Sequence, residues 1–134
     1  MKLRTVGLSA IALTLALMVP GASAHHSFSA EYDSNKPTTI KGVVTKVEWM
    51  NPHVYFYVDV EDANGKIVNW ACEMGPPAGL QRSGWNKNTM KFGDEVTVNG
   101  SLAKDGSKQI NARTVTMTNT GKRLGAASSE VKQP

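Results

Sequence analysis

The chain has 134 residues with 15 basic and 11 acidic side chains, a net charge of +4. Residues 1–24 read as a secretory signal peptide: Lys2 and Arg4, an apolar and small run from Val6 to Val19 too short to span a bilayer, then Pro20-Gly21 and the small-x-small site Ala22-Ser23-Ala24. Cleavage after Ala24 leaves 110 residues and a net charge of +2, which excludes a second domain and a membrane span in the mature form, and argues against a nucleic-acid partner.

The mature part is poor in leucine and rich in β-branched residues. Five of eight leucines fall in the leader, whereas eleven of thirteen valines remain, together with nine threonines. Stiff, β-branched side chains suit a pleated, half-buried surface, so the sequence predicts an all-β protein. Cys72 is the sole cysteine, so no intramolecular disulfide helps the core. With no cysteine at the cleavage site there is no lipid anchor, and the expected address is soluble and periplasmic.

In chain order, His25 to Pro37 is expected to be an arm, with Phe28 and Tyr32 as apolar anchors and a turn at Ser34-Asn35-Lys36-Pro37. A long first strand, Thr38 to Met50, follows. Its apolar parity shifts between Ile40 and the set Val43, Val47 and Trp49, which places a bulge at Gly42. In the second strand, His53 to Val60, the inward set is Val54, Phe56, Val58 and Val60. The third, Ile67 to Met74, turns Val68, Trp70, Cys72 and Met74 inward.

A three-residue loop, Ala63-Asn64-Gly65, keeps both inward sets in register, with Gly65 in the left-handed region. That pairs Val60 with Val68, Val58 with Trp70 and Phe56 with Cys72. On the outer face it sets Tyr55 opposite Glu73, Tyr57 opposite Ala71 and Asp59 opposite Asn69. Pro76 to Gly84 predicts a short helix, and Trp85 to Phe92 a turn or loop. Glu95 to Gly100 and Ile110 to Thr118 are the last strands, joined through Asp105-Gly106. From residue 119 to 134 the composition predicts a disordered tail. Three strands, a short helix and two strands, with a long bent first strand, are the plan of a five-stranded OB-fold-like Greek-key barrel over residues 38–118. An open sandwich or meander is the alternative.

The chemistry-bearing residues are few. All three histidines, His25, His26 and His53, lie in the mature part. Cleavage after Ala24 makes His25 the N-terminal residue, whose α-amine and Nδ1 can chelate one metal ion. His53, placed after Asn51-Pro52, can supply the third nitrogen, with His26 as a substitute or helper. Amine and imidazole ligands in a planar array select Cu(II). The plain alternatives are solvated terminal histidines, and a His53 ring that packs on Trp49 or bonds a carbonyl. Tyr55, Tyr57, Glu73 and Asp59 form a polar-aromatic outer face, which on an OB-fold can bind ligands or be covered by the arm. Trp49, Trp70 and Trp85 read as core or rim, and Cys72 as a buried, inert thiol. No phosphate loop, zinc-spaced cysteines or serine nucleophile motif is present.

The opening His25-His26-Ser27-Phe28, the stretch Val47-Glu48-Trp49-Met50-Asn51-Pro52-His53 and the stretch Gly93 to Gly100 together resemble a family of small exported bacterial proteins classed only as a domain of unknown function (DUF6152-like). The resemblance runs from His25 to about Met117. It implies a secreted single-domain β-barrel and no activity. The chelate at His25 is similar to the histidine brace of copper-dependent polysaccharide oxygenases and copper carriers, whose fold differs, so only the chelate carries over. The resulting expectation is a periplasmic binding module, not an enzyme, with copper as its cofactor. Two rivals stand beside it: a copper-dependent oxidase using the same site, and a metal-free module that holds a periplasmic protein partner on the Tyr55/Tyr57 face.

Overall fold

The computed structural model describes residues 27–130. The expected signal peptide, His25, His26 and residues 131–134 lie outside the described residues. The elements are α1 (Phe28–Glu31), β1 (Tyr32–Glu48), β2 (Tyr55–Glu61), β3 (Ile67–Glu73), α2 (Pro77–Arg82), β4 (Glu95–Ala103), β5 (Gln109–Met117) and β6 (Arg123–Gly125). The strands run in the order β3-β2-β1-β4-β5-β6, and β3 also pairs with β5 in parallel. That last pairing closes β1 to β5 into a ring, with α2 between β3 and β4. This is the all-β closed barrel and helix position that the sequence predicts, with a sixth strand added. No described helix is long and apolar enough to cross a membrane.

The β2–β3 hairpin has the derived register at every position: Val60 opposite Val68, Val58 opposite Trp70, Phe56 opposite Cys72 and Tyr55 opposite Glu73. Its turn is fixed by Asp62, whose Oδ1 accepts the amides of Asn64 and Lys66 at 2.8 and 3.0 Å. Gly65 sits at φ 77°, a left-handed conformation that costs glycine little. Phe56, Val58 and Cys72 are fully buried. The core they enter also takes Leu80 of α2 and Trp85 of the loop beyond it.

Three expectations are corrected. The bulge in β1 lies at Thr45, because the pairing with β2 shifts between Val44 and Lys46, whereas Gly42 pairs with Val96 in unbroken register. Ile40 and Val44 are buried before the shift, and Val47 and Trp49 pack on the core after it. Val43, expected inward, is 43% exposed. Gly42 answers a different need. A Cβ there would lie 2.0 Å from the carbonyl oxygen of Asp59, so the residue permits close approach of β2 where β1 bends.

The second correction concerns the arm. Tyr32 already belongs to β1 and pairs with Ala103, and the expected turn at Ser34-Asn35-Lys36 is an irregularity inside the strand, between the pairs Asp33–Leu102 and Pro37–Ser101. Of the expected arm, only residues 27–31 among those described precede β1, with a single helical turn at α1.

The third is the tail. Residues 123–130 are ordered on the barrel. Leu124 pairs with Val115 in the β5–β6 ladder, and Ala126 is fully buried. The Trp85 indole donates to the Gly125 carbonyl at 2.8 Å, and the Gly75 amide donates to the Ala126 carbonyl at 2.8 Å. Further on, Ser128 donates to Asn111 Oδ1 at 2.6 Å, and Glu130 pairs with Arg113. A run of Gly, Ala and Ser offers little apolar area, so composition scores it as unfolded. Here the seats are small and the tie is made by backbone hydrogen bonds, which composition does not register.

Two outcomes are expected. Truncation after Lys122 leaves the Trp85 indole without its acceptor and uncovers the core beside it. It should cost about 3 kcal/mol, read as a lowered urea midpoint with a red-shifted tryptophan emission. Gly42→Ala should cost roughly 2–4 kcal/mol in the same assay, because the new methyl meets backbone rather than a movable side chain.

Candidate functional site

Glu73 closes β3 on the outer face of the barrel, yet it is only 3% exposed. A carboxylate so far from water needs donors on both oxygens, and three elements supply them. His53, in the loop between β1 and β2, places Nδ1 at 3.0 Å from Oε1. Tyr55 of β2 donates its hydroxyl to Oε2 at 2.8 Å. Tyr32, at the start of β1, donates to the same Oε2 at 2.6 Å. The Tyr32 oxygen in turn accepts from Gln109 Nε2 of β5 at 2.6 Å. Glu73 is thus acceptor to three donors, and a carboxylate, with no proton of its own to place, satisfies them all. Among the described residues no buried side-chain nitrogen or oxygen lacks a partner.

This network sets the chemistry of each member. Burial, reinforced by the hydrogen bond to the Glu73 carboxylate and by its charge, pushes the Tyr32 and Tyr55 hydroxyls far above the usual phenol range. Both stay neutral donors through the physiological range. Since Glu73 can only accept, Nδ1 is the donor of this pair, and Nε2 is the ring nitrogen that the bond to Glu73 does not use. The partner that Nδ1 of His53 meets is this carboxylate. About a quarter of its side chain, 24%, remains exposed. Tyr32 and Gln109 also line an open depression of about 380 Å³ with Glu31, Lys104 and Asp105.

The remaining residues of the expected face do not join this cluster. Tyr57 donates to Glu48 Oε2 at 3.1 Å, and Glu48 is paired with Lys46. Asp59 accepts from Asn69 at 2.8 Å. Both are half-exposed side-chain pairs between neighbouring strands. Cys72 is buried, and burial alone raises its thiol well above the ordinary value, consistent with an inert packing role. His25 and His26 lie outside the described residues. Among the described residues no group of three or more His, Cys, Asp or Glu side chains could hold a metal ion; His53 and Glu73 make a pair only.

Sequence reasoning placed Tyr55 opposite Glu73 and named Tyr32 as an anchor of the arm. It missed Gln109 and the convergence of Tyr32 and His53 on one carboxylate. Gln109 enters because β3 pairs with β5, which sets Ala71 beside Gln109, and hydrophobic periodicity carries no information about which strands close a ring.

The fold and site define a small closed β-barrel whose outer face is organised around one buried carboxylate and a tethered histidine. The chain matches the Family of unknown function (DUF6152) over residues 13–112. It belongs to that family. No curated protein matches it.

The tyrosines provide a direct check. Their folded pKa values lie above the unfolded value near 10, so the unfolded chain releases these protons first as pH rises. The stability they contribute is fully present below about pH 10 and is lost progressively above it. In a near-ultraviolet phenolate titration, Tyr32 and Tyr55 should stay silent until the native protein unfolds. All three tyrosines should titrate near pH 10 in denaturant. Glu73→Gln should bring the native onset of two of them down.

Proposed function

We propose that the protein is an exported, soluble OB-fold binding module, not an enzyme, that holds Cu(II) between its N-terminal His25 and His53. One observation carries this reading: the bond from His53 Nδ1 to the buried Glu73. Metal-bound histidines characteristically donate their second ring nitrogen to a carboxylate, which fixes the tautomer, orients the ring and raises the basicity of the ligating nitrogen. His53 has that partner in Glu73, and Nε2 is the nitrogen left to ligate.

Two further features support the reading. The Phe28 ring stacks on Tyr32 with centroids 5.6 Å apart, and the Tyr32 hydroxyl reaches the carboxylate that holds His53. His25 is three residues before Phe28, a reach of roughly 10 Å for an extended chain. Signal cleavage after Ala24 would give His25 the free amine that completes a chelate with its own Nδ1, a ligand set that favours Cu(II). The tyrosine face is a poorer candidate for recognising a partner through its hydroxyls, because Tyr55 is committed to Glu73 and Tyr57 to Glu48.

The test compares protein beginning at His25 with protein carrying one extra alanine before it, and with His53→Ala. The native form should bind Cu(II) at least tenfold more tightly than either, about 1.4 kcal/mol. Its electron paramagnetic resonance spectrum should show three nitrogen ligands. Equal, weak binding by all three forms would sink the proposal.

A further inference from the structure

We infer that Arg113 and Ser101 form a carboxylate-binding site on the outer face of the barrel, filled by the chain's own Glu130 and open to an acidic peptide that takes its place. The site owes nothing to copper. It begins with a break in the β4–β5 ladder. Asn99 pairs with Thr114 and Gly100 with Ala112, so Arg113 is an extra residue on β5. A bulge re-aims a side chain, and here the buried Ala112 and Val115 flank two partly exposed residues, Arg113 and Thr114. The strands close tightly at this point. A Cβ on Gly100 would lie 1.9 Å from the Asn111 carbonyl oxygen.

Beside the bulge lies a polar floor. Ser101 and Asn111 are ladder partners, and both are buried. Arg113 Nε and Nη2 donate to Glu130 Oε2, Nε at 3.1 Å, and the Ser101 hydroxyl reaches the same oxygen at 3.4 Å. Ser128 donates to Asn111 Oδ1 at 2.6 Å, and the Glu130 amide donates to Ser128 Oγ at 3.0 Å. A guanidinium and a hydroxyl converging on one carboxylate oxygen is the chemistry of carboxylate recognition. Arg123 of β6, directed at Thr114 Oγ1, adds a second positive charge to this side of the barrel.

The cover over this floor is exchangeable because its anchor lies behind it. Ladder pairing ends at Gly125. Ala126 is fully buried, with its amide on the Arg113 carbonyl and its carbonyl on the Gly75 amide. Ala127 then turns at φ 48°, a left-handed conformation that costs any residue with a Cβ. Ser128 to Glu130 lie beyond that turn, outside the ladder, where local opening takes little free energy. A bare floor would strand a guanidinium and two buried polar side chains, so a replacement must bring the same groups. Those are a hydroxyl for Asn111 and, two residues on, a carboxylate for Arg113. An extended peptide of pattern Ser-x-Glu supplies both.

The probe is acetyl-Ser-Ser-Glu-amide, the sequence of residues 128–130, with acetyl-Ser-Ser-Gln-amide as its uncharged match. Binding is followed through the amide resonances of Ser101 and Arg113 in the full chain. Tethered Glu130 competes at an effective concentration on the order of millimolar, so the native protein should bind the acidic peptide about tenfold more weakly than Glu130→Gln does. Glu130→Gln should prefer the acidic peptide over its match by about fivefold or more. Adding Arg113→Gln should abolish that preference, with thermal melts establishing that both variants fold. In the native protein, saturating acidic peptide should also shift the Glu130 amide resonance as the strap leaves, a readout that needs no variant. Equal affinity of native and Glu130→Gln protein, no discrimination between the peptides, a preference that survives Arg113→Gln, or an unmoved Glu130 amide would each overturn the inference.

Discussion

The buried carboxylate of Glu73 is the constraint around which the outer face is arranged. Isolating a charge from water is costly unless its oxygens are saturated with donors, and the donors here arrive from separate stretches of chain. His53 comes from a loop, Tyr55 from β2 and Tyr32 from the start of β1, with Gln109 of β5 behind it. Satisfying one side chain thus ties the arm, the β1–β2 loop and the seam of the barrel to a common point. The same arrangement orients the imidazole through its Nδ1 and keeps two phenols protonated. A site with oriented donors follows directly from meeting the hydrogen-bonding demand of one glutamate.

The barrel is what brings these donors together. β1 is long enough to pair with β2 at one end and β4 at the other, and it turns between them by the extra residue at Thr45 and the close approach at Gly42. The parallel contact of β3 with β5 spans three residue pairs, among them Ala71 with Gln109 and Glu73 with Asn111. That short seam lies beside Glu73. Closure of the core and assembly of the candidate site therefore depend on the same few residues, and a change that loosens the seam should disturb both.

Both ends of the described chain lie against the barrel. The leading end brings Tyr32 to Glu73. The trailing end covers Asn111 and Ser101 through Ser128 and Glu130. Glu73, Asn111 and Ser101 are the buried polar residues among those described, and they sit in register across β3, β5 and β4. Each is buried on the outside of the barrel and hydrogen-bonded to an overlying segment. The apolar interior and this polar outer layer together define how the family's chain is folded here.

The sequence by itself determined the all-β class, the succession of the first five strands and the helix along the chain, and the hairpin register, because a period of two admits one register once both inward sets must face the core. It also determined that Tyr55 and Glu73 are neighbours, since that follows from the same register. It did not determine where β1 bends, because a parity change between Ile40 and Val47 is compatible with an extra residue at several positions, and glycine drew the assignment to Gly42. Nor did it reveal the sixth strand, Arg123–Gly125, or the seating of the Ala and Ser residues after it, which is made by small contacts and hydrogen bonds. The meeting of Tyr32 and His53 at Glu73, with Gln109 donating to the Tyr32 oxygen, was decided by tertiary structure alone. Tyr32 and Gln109 are far from Glu73 in the chain, and only closure of the ring brings them together beside that carboxylate.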